Sequence, residues 1–181
     1  MPATAHDCGT AVGWRTPAIT VAIDTPQTRL QKAAAAAIVR GARRWLDAPC
    51  GGGKSPNLRV DTAVRNDPDL PAGNAGIHVT FAEAWPAERG TFATTRLQFD
   101  ASGRIANARA TFYMTVLAPY GDGPMLESIA LHEIGHALGL AHAQDGVPAV
   151  MDEEVHGGGR EALTLTPDDI AAICAAYPPN E

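Results

Sequence analysis

The sequence is short of several things, and each shortage excludes something. No stretch approaches the ~20 consecutive apolar residues that a membrane span requires. The longest apolar run, Ala33 to Val39, is bracketed by Lys32 and Arg40 and reads as one side of an Ala-rich helix. Positive charge is scarce: 14 Lys and Arg face 20 Asp and Glu, for a net charge of -6. With no basic tract, sequence-independent binding of nucleic acid or anionic lipid is not expected. The first twenty residues carry His6, Asp7 and Arg15 and have no apolar h-region, so no signal peptide is read there, which leaves the compartment open. There is no internal repeat and no low-complexity tail. Cysteines number 3, enough for one disulfide with one thiol left over. The expected pair is Cys8–Cys50, closing a loop of about forty residues, with Cys174 as a buried thiol in a terminal helical pattern. Such a bridge implies an oxidising compartment.

The chain has 181 residues, of which 45% are hydrophobic and 19% charged. That suits one soluble domain, or one divided by a cleft, with enough interior to fold without staples. Ala18 to Ile23 alternates apolar and polar residues and reads as a strand. Thr25 and Pro26 read as a helix start, and the helix runs to about Leu46 with Leu30, Ala34, Ile38, Ala42 and Trp45 on one stripe. Leu58–Val64 and Gly76–Phe81 read as further strands, with a polar loop from Asn66 to Asn74 between them. Thr91–Phe99 and Ile105–Val116 are two more, joined by a hairpin signal at Asp100 to Gly103. Met125–Leu140 is helical, and a last helix lies within Thr164–Tyr177, capped by Thr166 with Pro167 at its first position. The order is β-α-β-β-β-β-α-loop-α, with helices covering one sheet. Gly53-Lys54-Ser55 looks like the end of a phosphate-binding loop, but a helix precedes it and Pro56 follows, so it reads as a turn.

The chemistry lies in His132-Glu133-Ile134-Gly135-His136. Inside a helix, His132 and His136 share a face and can offer nitrogens to one metal ion. Glu133 can lean toward a metal-held water without being a ligand. On an unbroken helix His142 would be rotated about 240° from His136. Gly139, midway between them, can take positive φ and let the chain leave the helix so that His142 returns to the metal. Three neutral imidazoles and a water make a catalytic zinc site with an open position.

These residues resemble the metzincin metallopeptidase signature, which adds a methionine turn to the extended zinc motif. Met151 follows His142 by nine positions and stands where that methionine belongs. The run from Leu126 to His142, Leu165 to Ile170 with Tyr177, Gly76 to Phe81 and Trp14-Arg15 are most similar to a compact matrixin, a matrix-metalloproteinase-like catalytic domain. Ala143 stands where matrixins commonly have serine, and Asp152 where they often have tyrosine. His78 has no counterparts that would make a second zinc site and reads as a plain strand histidine.

The resemblance implies an α+β fold: a twisted, mostly parallel sheet with two long helices, an active-site helix, a Met-turn and a C-terminal helix. The whole chain, 1–181, would be a single catalytic domain, with residues 1–142 and 143–181 as its two subdomains. It implies a zinc endopeptidase in which Glu133 is the general base for a zinc-bound water and His132, His136 and His142 hold the zinc. The partner is a protein or peptide bound in extended form along an edge strand, for which the 91–116 hairpin is the candidate. Ala143 onward, with Val147, Pro148, Ala149 and Val150, would wall an apolar pocket beside the zinc. Cys8-Gly9 faintly resembles the propeptide cysteine that caps zinc in matrixins, an alternative to the Cys8–Cys50 bridge. Asp122, between two glycines, reads as a turn residue, with a calcium ligand as the other reading. A monomer in a secreted, extracellular or periplasmic setting is expected. Two other readings stand beside this one: a zinc peptidase whose third ligand is Glu153, Glu154 or Glu161, and a zinc-binding module or inactive relative without catalysis.

Overall fold

The computed structural model describes residues 11–65, 75–83, 91–143, 149–152 and 163–179. Strand β1 (Ala18–Asp24) leads into helix α1 (Arg29–Leu46), which returns the chain to β2 (Arg59–Arg65) and then β3 (Gly76–Ala82). The hairpin β4 (Ala93–Phe99) and β5 (Ile105–Tyr113) follows, then a short helix α2 (Met114–Leu117) and a 3-10 turn. Helix α3 (Pro124–Ala137) and helix α4 (Pro167–Ala176) complete the order. The strands form one sheet in the order β2-β1-β3-β5-β4. All neighbours are parallel except β4, which pairs antiparallel with β5 and occupies an edge. This is the mixed, mostly parallel sheet with helices that the sequence led us to expect.

Local chemistry explains where the elements begin. Helix α1 starts three residues later than the Thr25-Pro26 signal suggested. Its cap is Thr28, whose hydroxyl accepts from Gln31 N–H while the Gln31 side chain reaches back to the Thr28 N–H. A capping box satisfies two otherwise orphaned donors, which a threonine before proline alone does not. Helix α4 begins where expected, with Thr166 and Asp169 forming the same reciprocal pair. The strand expected to run to Val116 ends at Tyr113, and Met114–Leu117 turn into helix instead.

Ile19, Val21 and Ile23 of β1, Ile77 and Val79 of β3, and Ala108, Ala110 and Phe112 of β5 bury one face of the sheet. They share a core with Ala34, Ile38, Ala42 and Trp45 of α1 and Ile129, Ala130, Leu131 and Ile134 of α3. Helix α3 is buried almost all round, which suits its mostly apolar sequence and makes it the rigid axis of the molecule. Gly41 lets α1 approach closely, since a Cβ there would sit 3.2 Å from the Leu131 Cα. Trp45 fixes the register by donating its indole N–H to the Leu131 carbonyl at 2.9 Å.

The disulfide differs from the expected one. Cys50 bonds Cys174, with Cα atoms 5.4 Å apart, tying the Gly-rich loop after α1 to α4. Cys174 is therefore a bridge partner and not a buried thiol, and the Cys8–Cys50 pairing is excluded. Cys8 lies outside the described residues. Sequence spacing favoured the shorter loop, but the packing of α4 beside that Gly-rich loop decides which sulfurs meet. A loop of 124 residues is worth about 5 kcal/mol in the chain-entropy relation. Replacing Cys174 with serine is expected to lower unfolding free energy by about 2–5 kcal/mol in urea titration. Peptide mapping without reductant should recover a Cys50–Cys174 linkage, and a Cys8–Cys50 linkage would overturn this assignment.

Candidate metal centre

Helix α3 presents His132 and His136 one turn apart, and the chain then leaves the helix. Leu140 N–H bonds the Gly135 carbonyl at 3.0 Å and Gly139 N–H bonds the His136 carbonyl at 2.8 Å. This pair of bonds is a Schellman ending, which requires a left-handed residue after the cap. Gly139 supplies it with φ of 92°. A Cβ there would also overlap the carbonyl oxygen of Val12, so the position excludes side chains for two separate reasons.

The turn carries His142 back to the helix. The ring centroids of His132, His136 and His142 lie 4.5, 4.6 and 5.3 Å apart, and one ligand atom from each falls within 4.8 Å of the others. Among the described residues this is the one cluster of three such groups. His132 Nδ1 lies 2.8 Å from the Val150 carbonyl and His136 Nδ1 2.9 Å from the Leu140 carbonyl. A carbonyl only accepts, so each Nδ1 carries the proton and each Nε2 offers a lone pair. The Nε2 atoms of His136 and His142 are 3.0 Å apart. Two ring nitrogens this close need a proton or a cation between them. Nitrogens around a tetrahedral zinc stand about 3.4 Å apart, so the donor set fits that ion. Burial pushes the His132 imidazole below its ordinary pKa, which favours the neutral, ligand-competent form.

Glu133 is buried beside this trio. Desolvation raises its carboxyl to about 7, opposed by a hydrogen bond from the Thr95 hydroxyl. That hydroxyl lies 2.6 Å from Glu133 Oε2 and 3.2 Å from the Glu133 carbonyl oxygen. The edge strand β4 therefore runs directly past the carboxyl. A group with a pKa near neutrality can both take and return a proton at working pH.

Met151 is buried and packs its sulfur against α3 at Gly135, where a Cβ would collide with both Met151 Sδ and the Trp45 ring. The absence of a side chain at Gly135, between the two helical histidines, is what lets Met151 reach the helix backbone. Ala143 N–H bonds the Met151 carbonyl at 2.7 Å, joining the chain just after His142 to this turn.

Sequence reading missed two contributors. Asp169 stands in the first turn of α4. It is buried, and its carboxylate accepts from the Val150 N–H at 2.9 Å, the Met151 N–H at 3.2 Å and the Thr166 N–H at 2.8 Å. Since the Val150 carbonyl receives the His132 Nδ1–H, α4 orients that imidazole through this turn. The Thr166-Pro167 pattern signalled a helix start but not this use of Asp169. Thr95 gave no signal, because a threonine in a strand is unremarkable.

His78 lies apart from the trio on β3, with Nε2 2.8 Å from Asp24 Oδ1. Asp122 sits in an exposed ion pair with Arg29 at 3.3 Å. Cys8, Val147, Pro148, Glu153, Glu154, His156 and Glu161 lie outside the described residues.

A family model described as Matrixin matches residues 58–178, well over half of the chain. The chain belongs to the matrixin family. Among curated matrixin-like proteins, it is 44% identical over 55 residues to matrix metalloproteinase-19 of Homo sapiens. It is 44% identical over 55 residues to metalloendoproteinase 1-MMP of Arabidopsis thaliana, and 46% identical over 55 residues to metalloendoproteinase 5-MMP of the same plant. Each match covers 30% of this matrixin, but only 10% of the human protein and 15% of each plant protein, so the chain spans a small part of its relatives' length.

Gly139→Ala should lose the turn. Left-handed φ costs a residue with a Cβ about 1–2 kcal/mol, before the overlap with Val12. Calorimetry should show a lower melting temperature, and zinc titration should show affinity reduced at least about tenfold. Unchanged zinc affinity would show that the trio does not need this turn.

Proposed function

We propose that this matrixin is a zinc-dependent endopeptidase acting on protein or peptide substrates, with His132, His136 and His142 as the metal ligands and Glu133 as general base. The observation that carries the reading is the convergence of three imidazoles on one point with a buried carboxyl beside them and an edge strand passing that carboxyl. Zinc held there supplies Lewis acidity and a water acidified toward neutral pH. His132 and His136 are locked in the lone-pair-bearing tautomer by the Val150 and Leu140 carbonyls. Glu133 accepts a proton at its carboxylate during attack and returns it to the leaving amine. Thr95 holds that carboxylate in one orientation.

The outer edge of β4 carries main-chain groups that no other strand of the sheet pairs, and an extended peptide added there would pass Glu133. An apolar wall beside the metal, formed by the segment from Ala143 through Ala149 and Val150, is part of the same reading, and the Val150 carbonyl against His132 supports placing that segment at the site. The Cys50–Cys174 bridge supports an oxidising compartment outside the cytosol. No helix among the described residues is long and apolar enough to cross a membrane.

Two substitutions test the reading. Glu133→Gln should keep stoichiometric zinc by elemental analysis and lose casein cleavage by at least about a hundredfold, within the range a general base contributes. His142→Ala should lose tight zinc binding and cleavage together. Cleavage that survives Glu133→Gln, or zinc that stays tightly bound in His142→Ala, would favour a different base or a downstream glutamate as third ligand.

A further inference from the structure

The carbonyl groups at the end of α3 can be followed one by one. Those of Ile134, Gly135 and His136 are taken by Leu138, Leu140 and Gly139 N–H within the Schellman ending. The next three, on Ala137, Leu138 and Gly139, have left the helical ladder, and Ala137 and Leu138 are fully buried, out of reach of water. A buried carbonyl needs a partner. All three partners come from the two far regions of the chain.

The indole N–H of Trp14 donates to the Ala137 carbonyl at 3.0 Å. The Tyr177 hydroxyl donates to the Leu138 carbonyl at 2.7 Å. The Val12 N–H donates to the Gly139 carbonyl at 3.0 Å. Trp14 and Tyr177 are themselves joined, because the Tyr177 oxygen accepts the Trp14 N–H at 3.3 Å. Gly13 makes room for this contact: a Cβ there would lie 2.8 Å from the Ala176 carbonyl oxygen and 3.4 Å from the Tyr177 ring. Both aromatic residues are buried, and the Tyr177 phenol is held above its ordinary pKa by burial, so it remains a donor throughout the neutral range.

We propose that Trp14 and Tyr177 are positioning residues for the metal centre: by clamping the Ala137 and Leu138 carbonyls, they fix the direction in which the chain turns at Gly139 and hence the distance of His142 from His132 and His136. This rests on the reading of the three histidines as metal ligands. Trp14 and Tyr177 act through two consecutive carbonyls, those of Ala137 and Leu138, which lead directly into the glycine that redirects the chain. The Schellman bonds alone fix only how the helix stops. The clamp fixes where the following segment points.

Tyr177→Phe, which deletes a single oxygen, and Trp14→Phe test the clamp. Zinc affinity is measured by competition with a chromophoric chelator, and the visible spectrum of the cobalt-substituted protein reports ligand number and geometry. Each variant is expected to weaken zinc binding by about tenfold, the lower end of what indirect support of a ligand contributes, and to change the cobalt band. Ile19→Val, a core truncation in β1, serves as the comparison. It should lower the melting temperature without altering zinc affinity or the cobalt spectrum. If both aromatic variants bind zinc within twofold of the parent and give its cobalt spectrum, whatever happens to their melting temperature, the clamp has a purely structural role and the inference is overturned. If the parent itself binds no zinc, the metal-centre reading falls and takes the inference with it. A parent that binds zinc beside variants that bind equally well removes only the clamp.

Discussion

A helix can place two ligands on one face through its own period, but it cannot place a third six residues further on. The third must come from chain that has already left the helix, and the departure has to be sharp. Here that departure is a left-handed φ at Gly139 pressed against the backbone of Val12. The returning His142 takes its position from it, and the turn carrying Met151 is bonded to the chain just beyond, at Ala143. A residue with a Cβ would meet both a conformational penalty and a wall of backbone, so the site depends on the least substantial residue in the motif.

Around that turn the molecule spends polar groups in places where water is absent. Asp169 holds the Val150–Met151 turn, Val150 holds His132, Leu140 holds His136, and Thr95 holds Glu133. All but the Leu140 bond join a more distant part of the chain to α3 or to the turn that packs on it. Buried polar links of this kind contribute modestly when made and cost more when broken. Their main effect is to make one arrangement of the histidines distinct from its neighbours. The carboxyl of Glu133 shows the other side of burial: desolvation holds it near neutrality instead of in the ordinary acidic range.

Much of this was legible in the residues. Alternation gave β1 and β3, and the hairpin signal at Asp100 to Gly103 gave β4 and β5, because strand period and turn chemistry are local properties. The histidine spacing and Gly139 pointed to one cluster for the same reason: both are statements about a helix and its end. The start of α1 was misjudged because two capping signals lie three residues apart, and only Thr28 has a glutamine placed to complete a box. The disulfide was misassigned because cysteine spacing says nothing about which elements pack together. Asp169 and Thr95 were invisible as site residues for a related reason. Their roles are created by long-range contacts, between α4 and the Met151 turn and between β4 and α3, which no local pattern encodes.

The meeting of Trp14 with Tyr177 has a mechanical consequence. Tension applied between the two ends of the folded unit would enter through a pair of rings seated on the end of the histidine-bearing helix, not through the distant edge of the sheet. The load would meet the end of that helix early, so it is here that the fold couples its two ends to the candidate metal centre.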